Sequence, residues 1–284
     1  MIKRCAFLLL ILPLICAAGP TDRLREALTH HASFDHGFDA DFSRGDPGLY
    51  VRKSVGKAIE DSPAVATEAL KLAPTAGKFG GALAMEKGAP AQVFYRNEGV
   101  LDYLAASWSG TVSVWLRISP DEDLPPGYCD PIMVTGGDMK LGFMFLEWSP
   151  ESPRRFRFAI LPRRELWNPS GAGWEELPNE RRPMIELPDP IFSRERWTHV
   201  VFTFDKINEG LGGGGRLYVD GRPRGAIENW DMQFGWDPAK VRLVVGRAYV
   251  GLIDDLAVFN RALDAEEIRT LHDLPEGAGS LRRP

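Results

Sequence analysis

Gly251-Leu252-Ile253-Asp254-Asp255-Leu256-Ala257-Val258-Phe259-Asn260-Arg261-Ala262-Leu263 reads as one long strand leading into a turn. Leu252 to Phe259 is apolar on both faces, as a strand between two layers should be. Two adjacent acids interrupt it. Strict alternation puts Asp254 with Leu256 and Val258, and Asp255 with Ile253 and Phe259. Each carboxylate then faces an apolar surface and needs a metal or hydrogen-bond donors. Upstream, Val241 to Val245 is a second strong strand. Arg216 to Val219 runs into Asp220-Gly221, a hairpin signal, with the return strand starting near Gly225. Gly212 to Gly215 lacks the Lys-Ser/Thr ending of a phosphate loop and reads as a flexible connection between Phe204 and Leu217. Trp197 to Phe204, Arg155 to Ile160, Leu141 to Trp148, Gly110 to Ile118 and Ala91 to Tyr95 are further strands.

Helical signals occur only at the ends. Asp264 stands three residues before Glu267, a capping box, and Ile268, Leu271 and Leu274 follow before Pro275. Asp22 to His31 carries Leu24, Ala27 and Leu28 and suits a short amphipathic helix. Many short strands between terminal helices argue an all-β fold, a two-sheet antiparallel β-sandwich with short terminal helices. Asp121 to Pro131 and Glu165 to Pro190 are polar and proline-rich and read as long loops of the same domain, the second of them mobile. Of 284 residues, 44% are hydrophobic, including 8 Trp and 15 Phe, enough to build a sizeable core. A net charge of −5 with scattered Lys and Arg leaves no nucleic-acid footprint.

The first residues predict export. Lys3 and Arg4 precede an apolar run from Ala6 to Ile15, and Cys16-Ala17-Ala18 offers small residues for cleavage after Ala18. Residues 1–18 therefore read as a signal peptide, and the product as secreted or periplasmic. A lipid anchor on Cys16 is the weaker alternative, because Ile15 stands where a small residue belongs. The run is shorter than the roughly 20 residues a spanning helix needs, so no membrane span is expected. Cleavage leaves Cys129 as the one thiol, so no internal disulfide is expected. Residues 19–32 form a helical lead-in, 33–275 the domain and 276–284 a tail.

Phe34-Asp35-His36-Gly37, Gly77 to Met85, the strand Val112 to Ile118 carrying Trp115, Trp197 to Val200, Leu217 to Gly221 and the Gly251–Leu263 segment follow in that order. In order and spacing they resemble the laminin-G-like jelly-roll domains of bacterial exported proteins, in the concanavalin A-like lectin and glucanase superfamily. The likeness runs from about Phe34 to Leu271. It implies a jelly roll with Trp115 and Trp197 in facing sheets. Gly80-Gly81 would permit a tight turn before a core strand.

Three chemistries are candidates. Asp35, Asp39, Asp41 and Asp46 crowd one loop with Gly37 and Gly45, a supply of oxygen ligands for calcium. The loop is not an EF-hand, since Arg44 and Tyr50 stand where its glycine and closing Glu belong. The resemblance implies that the first and last strands lie together, which would bring Asp254 or Asp255 to Asp35 and Asp41. One structural calcium ion on Asp35, Asp41, Asp254 and Asp255 is the expected cofactor; the alternative is that these acids cap turns and accept hydrogen bonds. Glucanases of this superfamily often carry Glu-x-Asp-x-x-Glu on one strand. Glu-x-Asp occurs nowhere here, and Glu147 has no acidic partner two or four residues away, so no catalytic activity is expected. Trp167, Trp174, Trp230 and Trp236 fall in or near loops and could form a sugar-binding platform. The resulting expectation is a non-catalytic exported module for a glycan or a cell-surface protein. A structural or adhesion module without a sugar site is the alternative. His30, His31 and His36 lack the spacing of a zinc finger.

Overall fold

In a computed structural model, residues 19–55, 58–187 and 191–282 are described. The expected signal peptide lies outside them. All strand pairs are antiparallel. One sheet runs in the order β15 (Arg222–Asp231), β14 (Leu211–Val219), β13 (Thr198–Ile207), β8 (Trp108–Arg117), β17 (Gly251–Phe259), β1 (Leu28–Ala32), β2 (Phe42–Ser43). β6 (Ala82–Met85) also pairs with β17, and β5 (Leu70–Ala73) with β6. The facing sheet runs β12 (Met184–Leu187), β11 (Phe156–Leu161), β10 (Phe143–Trp148), β9 (Cys129–Thr135), β16 (Arg242–Arg247), β7 (Val93–Arg96), β3 (Tyr50–Val55), β4 (Ala58–Pro63). Among the described residues there are four short α-helices: α1 (Pro20–Ala27), α2 (Pro120–Asp123), α3 (Arg164–Trp167) and α4 (Ala265–His272). The sandwich expected from the strand pattern is the fold.

Three apolar layers follow from the alternation of side chains. Val112, Val114 and Leu116 of β8, Leu146 and Trp148 of β10 and Phe156 and Phe158 of β11 meet between the sheets. On the outside of the nine-stranded sheet, Leu24 and Ala27 of α1 and Ile268 and Leu271 of α4 cover Ala257 and Phe259. The Asp264 carboxylate accepts the Glu267 N–H at 2.9 Å, and Glu267 accepts the Asp264 N–H at 3.0 Å, so the capping box starts α4. The outer face of the eight-stranded sheet carries a third cluster, described below.

Several readings need correction. The first helix stops at Ala27, and Leu28–Ala32 is a strand on β17. Its five residues are all buried, which the helical period concealed. Trp115 and Trp197 are not in facing sheets: Trp115 lies on β8, and Trp197 stands just before β13, the neighbour of β8 in the same sheet. Gly213 to Gly215 belong to β14 and do not form a loose connection. A Cβ on Gly214 would sit 1.9 Å from the Ile227 carbonyl oxygen, so glycine lets β15 approach closely. Cys129 opens β9 and is buried, which pushes its thiol up to about 11. Within the expected C-terminal tail, residues 278–282 form a short 3-10 turn packed under α1.

Candidate ligand-binding face

The closing segment that decided the fold also contains a bulge. Ile253 and Leu256 both enter the inter-sheet core, so two residues lie where alternation allows one. Asp255 adopts φ 47°, and both acids turn toward the outer layer. Asp254 accepts the N–H groups of Lys78, Phe79 and Asp255 at 2.6, 3.0 and 2.6 Å. Asp255 accepts the Ala278 N–H at 2.9 Å and faces His31 Nε2 at 2.7 Å. Strict alternation had put the two on opposite faces; the bulge is the reason they share one. Burial pushes the Asp254 carboxyl up to about 7 against the pull of its N–H donors.

The other expected calcium ligands are engaged in the same way. Asp35 accepts the Gly81 N–H at 2.5 Å and Asp41 the Ser33 N–H at 2.7 Å. Asp39 and Asp46 accept the N–H groups of Leu49 and Gly48. Asp35, Asp41 and Asp255 do line one cavity of about 620 Å³, but Lys78 and Arg282 line it too. Among the described residues, no group of three or more His, Cys, Asp or Glu is arranged to hold a metal ion. These acids fit hydrogen-bond acceptors that tie the first and last strands to the turn at Gly77–Gly81, and they do not fit a calcium ligand set.

The four candidate tryptophans separate. Trp236 is only 5% exposed, packs 4.5 Å from Phe234 and donates to the Gly142 carbonyl at 2.8 Å. Trp230 lies on β15 in the opposite sheet and packs against the main core. Both are sandwich material: the β14–β15 ladder continues through Trp230, and the segment after β15 turns Trp236 into the main core. Trp167 and Trp174 alone come together, half-buried with ring centroids 5.9 Å apart on the outer face of the eight-stranded sheet. The loop that carries them is pinned. Asn168 bonds both ways with Ala172, at 2.9 and 3.1 Å, and buried Arg182 stacks on Trp174 and donates to the carbonyls of Trp174 and Leu177.

Strand register arranges the rest of this face in rows. Met184, Ala159, Phe145, Met133, Val244, Phe94 and Tyr50 stand opposite one another across seven strands, from β12 to β3. Beside this apolar row runs a charged one: Glu186, Arg157, Glu147, Asp130 and Arg247. Arg157 bonds Glu186 at 2.7 Å and Glu147 at 3.5 Å, and Arg247 bonds Asp130 at 2.8 Å. Asp130 and Glu147 lie close enough to act on each other's ionisation. Two buried carboxyls that close do not both ionise at low cost. Burial, and then the Asp130 charge, push Glu147 up to about 8, and burial also raises Asp130. At neutral pH the pair offers one donor and several acceptor lone pairs.

The two rows and the pinned loop enclose a cavity of about 230 Å³. Trp174, Phe143, Phe145 and Met133 form its apolar wall, and Asp130, Glu147 and Arg247 its polar one. Tyr128 and Met139, 38% and 55% exposed, stand at its mouth. Sequence reasoning found Trp174 here and noticed Glu147. It missed Asp130, whose strand is hidden in a Pro/Gly-rich run.

A sequence profile of the concanavalin A-like lectin/glucanases superfamily, laminin G type 3, matches residues 100–269, more than half of the chain. The chain belongs to this superfamily. No curated protein sequence matches it. Among solved structures, this superfamily member is similar to domain 4 of an extracellular arabinanase from Geobacillus stearothermophilus, solved with arabinotriose. The identity is 18%, the coverage 87% of this chain and 98% of that one, and the TM-score 0.50. It is also similar to the binding domain of botulinum neurotoxin DC, solved with rat synaptotagmin II, at 14% identity and TM-score 0.51. That match covers 92% of this chain and 53% of the toxin domain, so the chain spans about half of its length. At these identities the likeness speaks for the fold. Among the described residues, no helix is long and apolar enough to cross a membrane.

Proposed function

We propose that the chain is a non-catalytic exported recognition module that binds a glycan on the outer face of the eight-stranded sheet. The observation that carries this reading is the cavity beside Trp174, where aromatic walls meet the carboxyls of Asp130 and Glu147 and the guanidinium of Arg247. A sugar ring has apolar faces for an indole and hydroxyls that both donate and accept, and the cavity offers both. The arabinanase domain solved with arabinotriose and the toxin binding domain solved with synaptotagmin II share the fold, which is consistent with this use.

The same pair argues against hydrolysis. A retaining glycosidase holds its carboxyls about 5 Å apart and an inverting one about 6.5–9.5 Å apart, with the sugar between them. Asp130 is tied to Arg247 at 2.8 Å and Glu147 faces Arg157 at 3.5 Å, so neither carboxyl stands free to act at an anomeric carbon. A glycan array probed with the chain from residue 19 onward tests the reading. Binding to a defined set of oligosaccharides that Trp174→Ala abolishes is the expected result. A blank array, or binding that Trp174→Ala leaves unchanged, would overturn it.

A further inference from the structure

At the other end of the same face lies a second and larger cavity, of about 770 Å³. Phe94, Tyr103 and Val241 give it apolar walls, and Arg96 and Arg242 project into it. Register places Arg242 directly opposite Arg96, and like charges in that position repel. Arg52 adds a third guanidinium 5.7 Å from the Phe94 ring centroid, and Arg242 lies 4.8 Å from the same centroid. Two cations therefore share the Phe94 ring, and Arg96 stands opposite Arg242 over the neighbouring Tyr50 ring.

The acids nearby do not answer them all. Asp61 is taken by Arg52, which grips both of its oxygens at 2.7 and 2.8 Å. Arg96 stacks on Tyr50 at 3.9 Å and reaches Asp46 at 3.4 Å. Asp102 accepts the Gly99 N–H at 2.8 Å, and Glu98 is exposed at the rim. Arg242 is left with Asp61 at 3.9 Å, beyond hydrogen-bond reach, although its side chain is only 12% exposed. Among the described residues its guanidinium makes no hydrogen bond. Burial and the two neighbouring arginines lower its pKa. A planar guanidinium with donors that no hydrogen bond occupies, held 4.8 Å over a ring centroid, is placed for a planar or tetrahedral oxyanion.

We propose that this cavity binds an anionic group carried on a sugar, a carboxylate or sulfate that bridges Arg242 and Arg96. The sugar part rests on the glycan reading above; the anion part does not. Titration calorimetry with a galacturonic acid trisaccharide, a neutral galactose trisaccharide and sodium sulfate separates the two. The acidic trisaccharide should bind at least about tenfold more tightly than the neutral one, and Arg242→Met should remove that preference. Arg96→Gln, at a half-exposed position that folding tolerates, should weaken acidic binding by about threefold or more. Trp174→Ala should weaken both trisaccharides and leave the binding of sulfate unchanged. Sulfate binding that depends on Arg242, with neither trisaccharide bound, would support the anion site and sink the glycan reading. Equal affinity for the acidic and neutral sugars, or anion binding insensitive to both arginine variants, would overturn the proposal. A melting curve of each variant shows whether a loss comes from the site or from unfolding.

Discussion

Replacing Asp254 by alanine tests whether the acids of the last strand act as hydrogen-bond acceptors. The side chain is fully buried and accepts three backbone N–H groups. The Asp255 N–H is itself buried, and losing its acceptor costs about 1–3 kcal/mol. Those of Lys78 and Phe79 are part-buried and can regain water, at about 0.5–1.5 kcal/mol each. Removing a carboxyl that burial pushes up to about 7 relieves some desolvation, so the lower part of the summed range applies, about 2–3 kcal/mol. A chain of this size loses about 2–4 °C of melting temperature per kcal/mol, which gives a drop of about 4–12 °C. Differential scanning calorimetry with and without millimolar EDTA is the assay. The parent curve should not respond to EDTA if backbone N–H groups are the partners these acids need. A variant that melts within about 1 °C of the parent would refute the accounting. An EDTA shift in the parent as large as the effect of the substitution would show that a metal ion sits there after all.

Three further outcomes are expected. Asp254 and Glu147 have raised folded-state values, about 7 and 8 against an ordinary 3.8 and 4.5, so their stabilising effect is full at low pH and is lost as pH rises through those values. Buried His30 and His199 are lowered to about 3 from 6.5, so their contribution is full above 6.5 and is lost as pH falls toward 3. Denaturant midpoints should therefore fall on both sides of a plateau between about pH 4 and 6.5, and Glu147→Gln should flatten the alkaline limb; a limb unchanged in that variant would count against the raised value. Gly214→Ala drives a methyl group into the Ile227 carbonyl and should cost about 3 kcal/mol or more in urea unfolding, whereas a cost under about 1 kcal/mol would mean that the ladder is looser than described. The Cys129 thiol should ignore a disulfide reagent until the chain unfolds, and rapid native-state labelling would contradict its burial.

The sheets were legible because alternation is local. Val112 to Ile118 announces its buried face without help from any other segment. Elements that depend on distant partners were not. The five residues of β1 look like the end of a helix until Phe259 and Ala257 are placed beside them. The glycines of β14 look like a loose linker until Ile227 closes on them. The bulge at Asp255 breaks the very alternation used to read its strand. The candidate site failed for a related reason. A search for paired acids along one strand finds Glu147 alone, because Asp130 reaches it from the neighbouring strand. The charged and apolar rows run across the sheet, perpendicular to the chain, where spacing in sequence carries no signal.

The position of β17 also constrains how the chain can assemble. This strand lies between β8 on one side and β1 and β6 on the other, yet in sequence it follows all the other described strands. Until it arrives, β1 has no partner but the two residues of β2, and β8 presents an open edge. Joining residue 28 to residue 259 closes almost the whole chain in a single loop, and such distant pairings are slow to form. The nine-stranded sheet is therefore completed from its middle and late, so a truncation before Gly251 leaves two unpaired edges rather than a smaller domain.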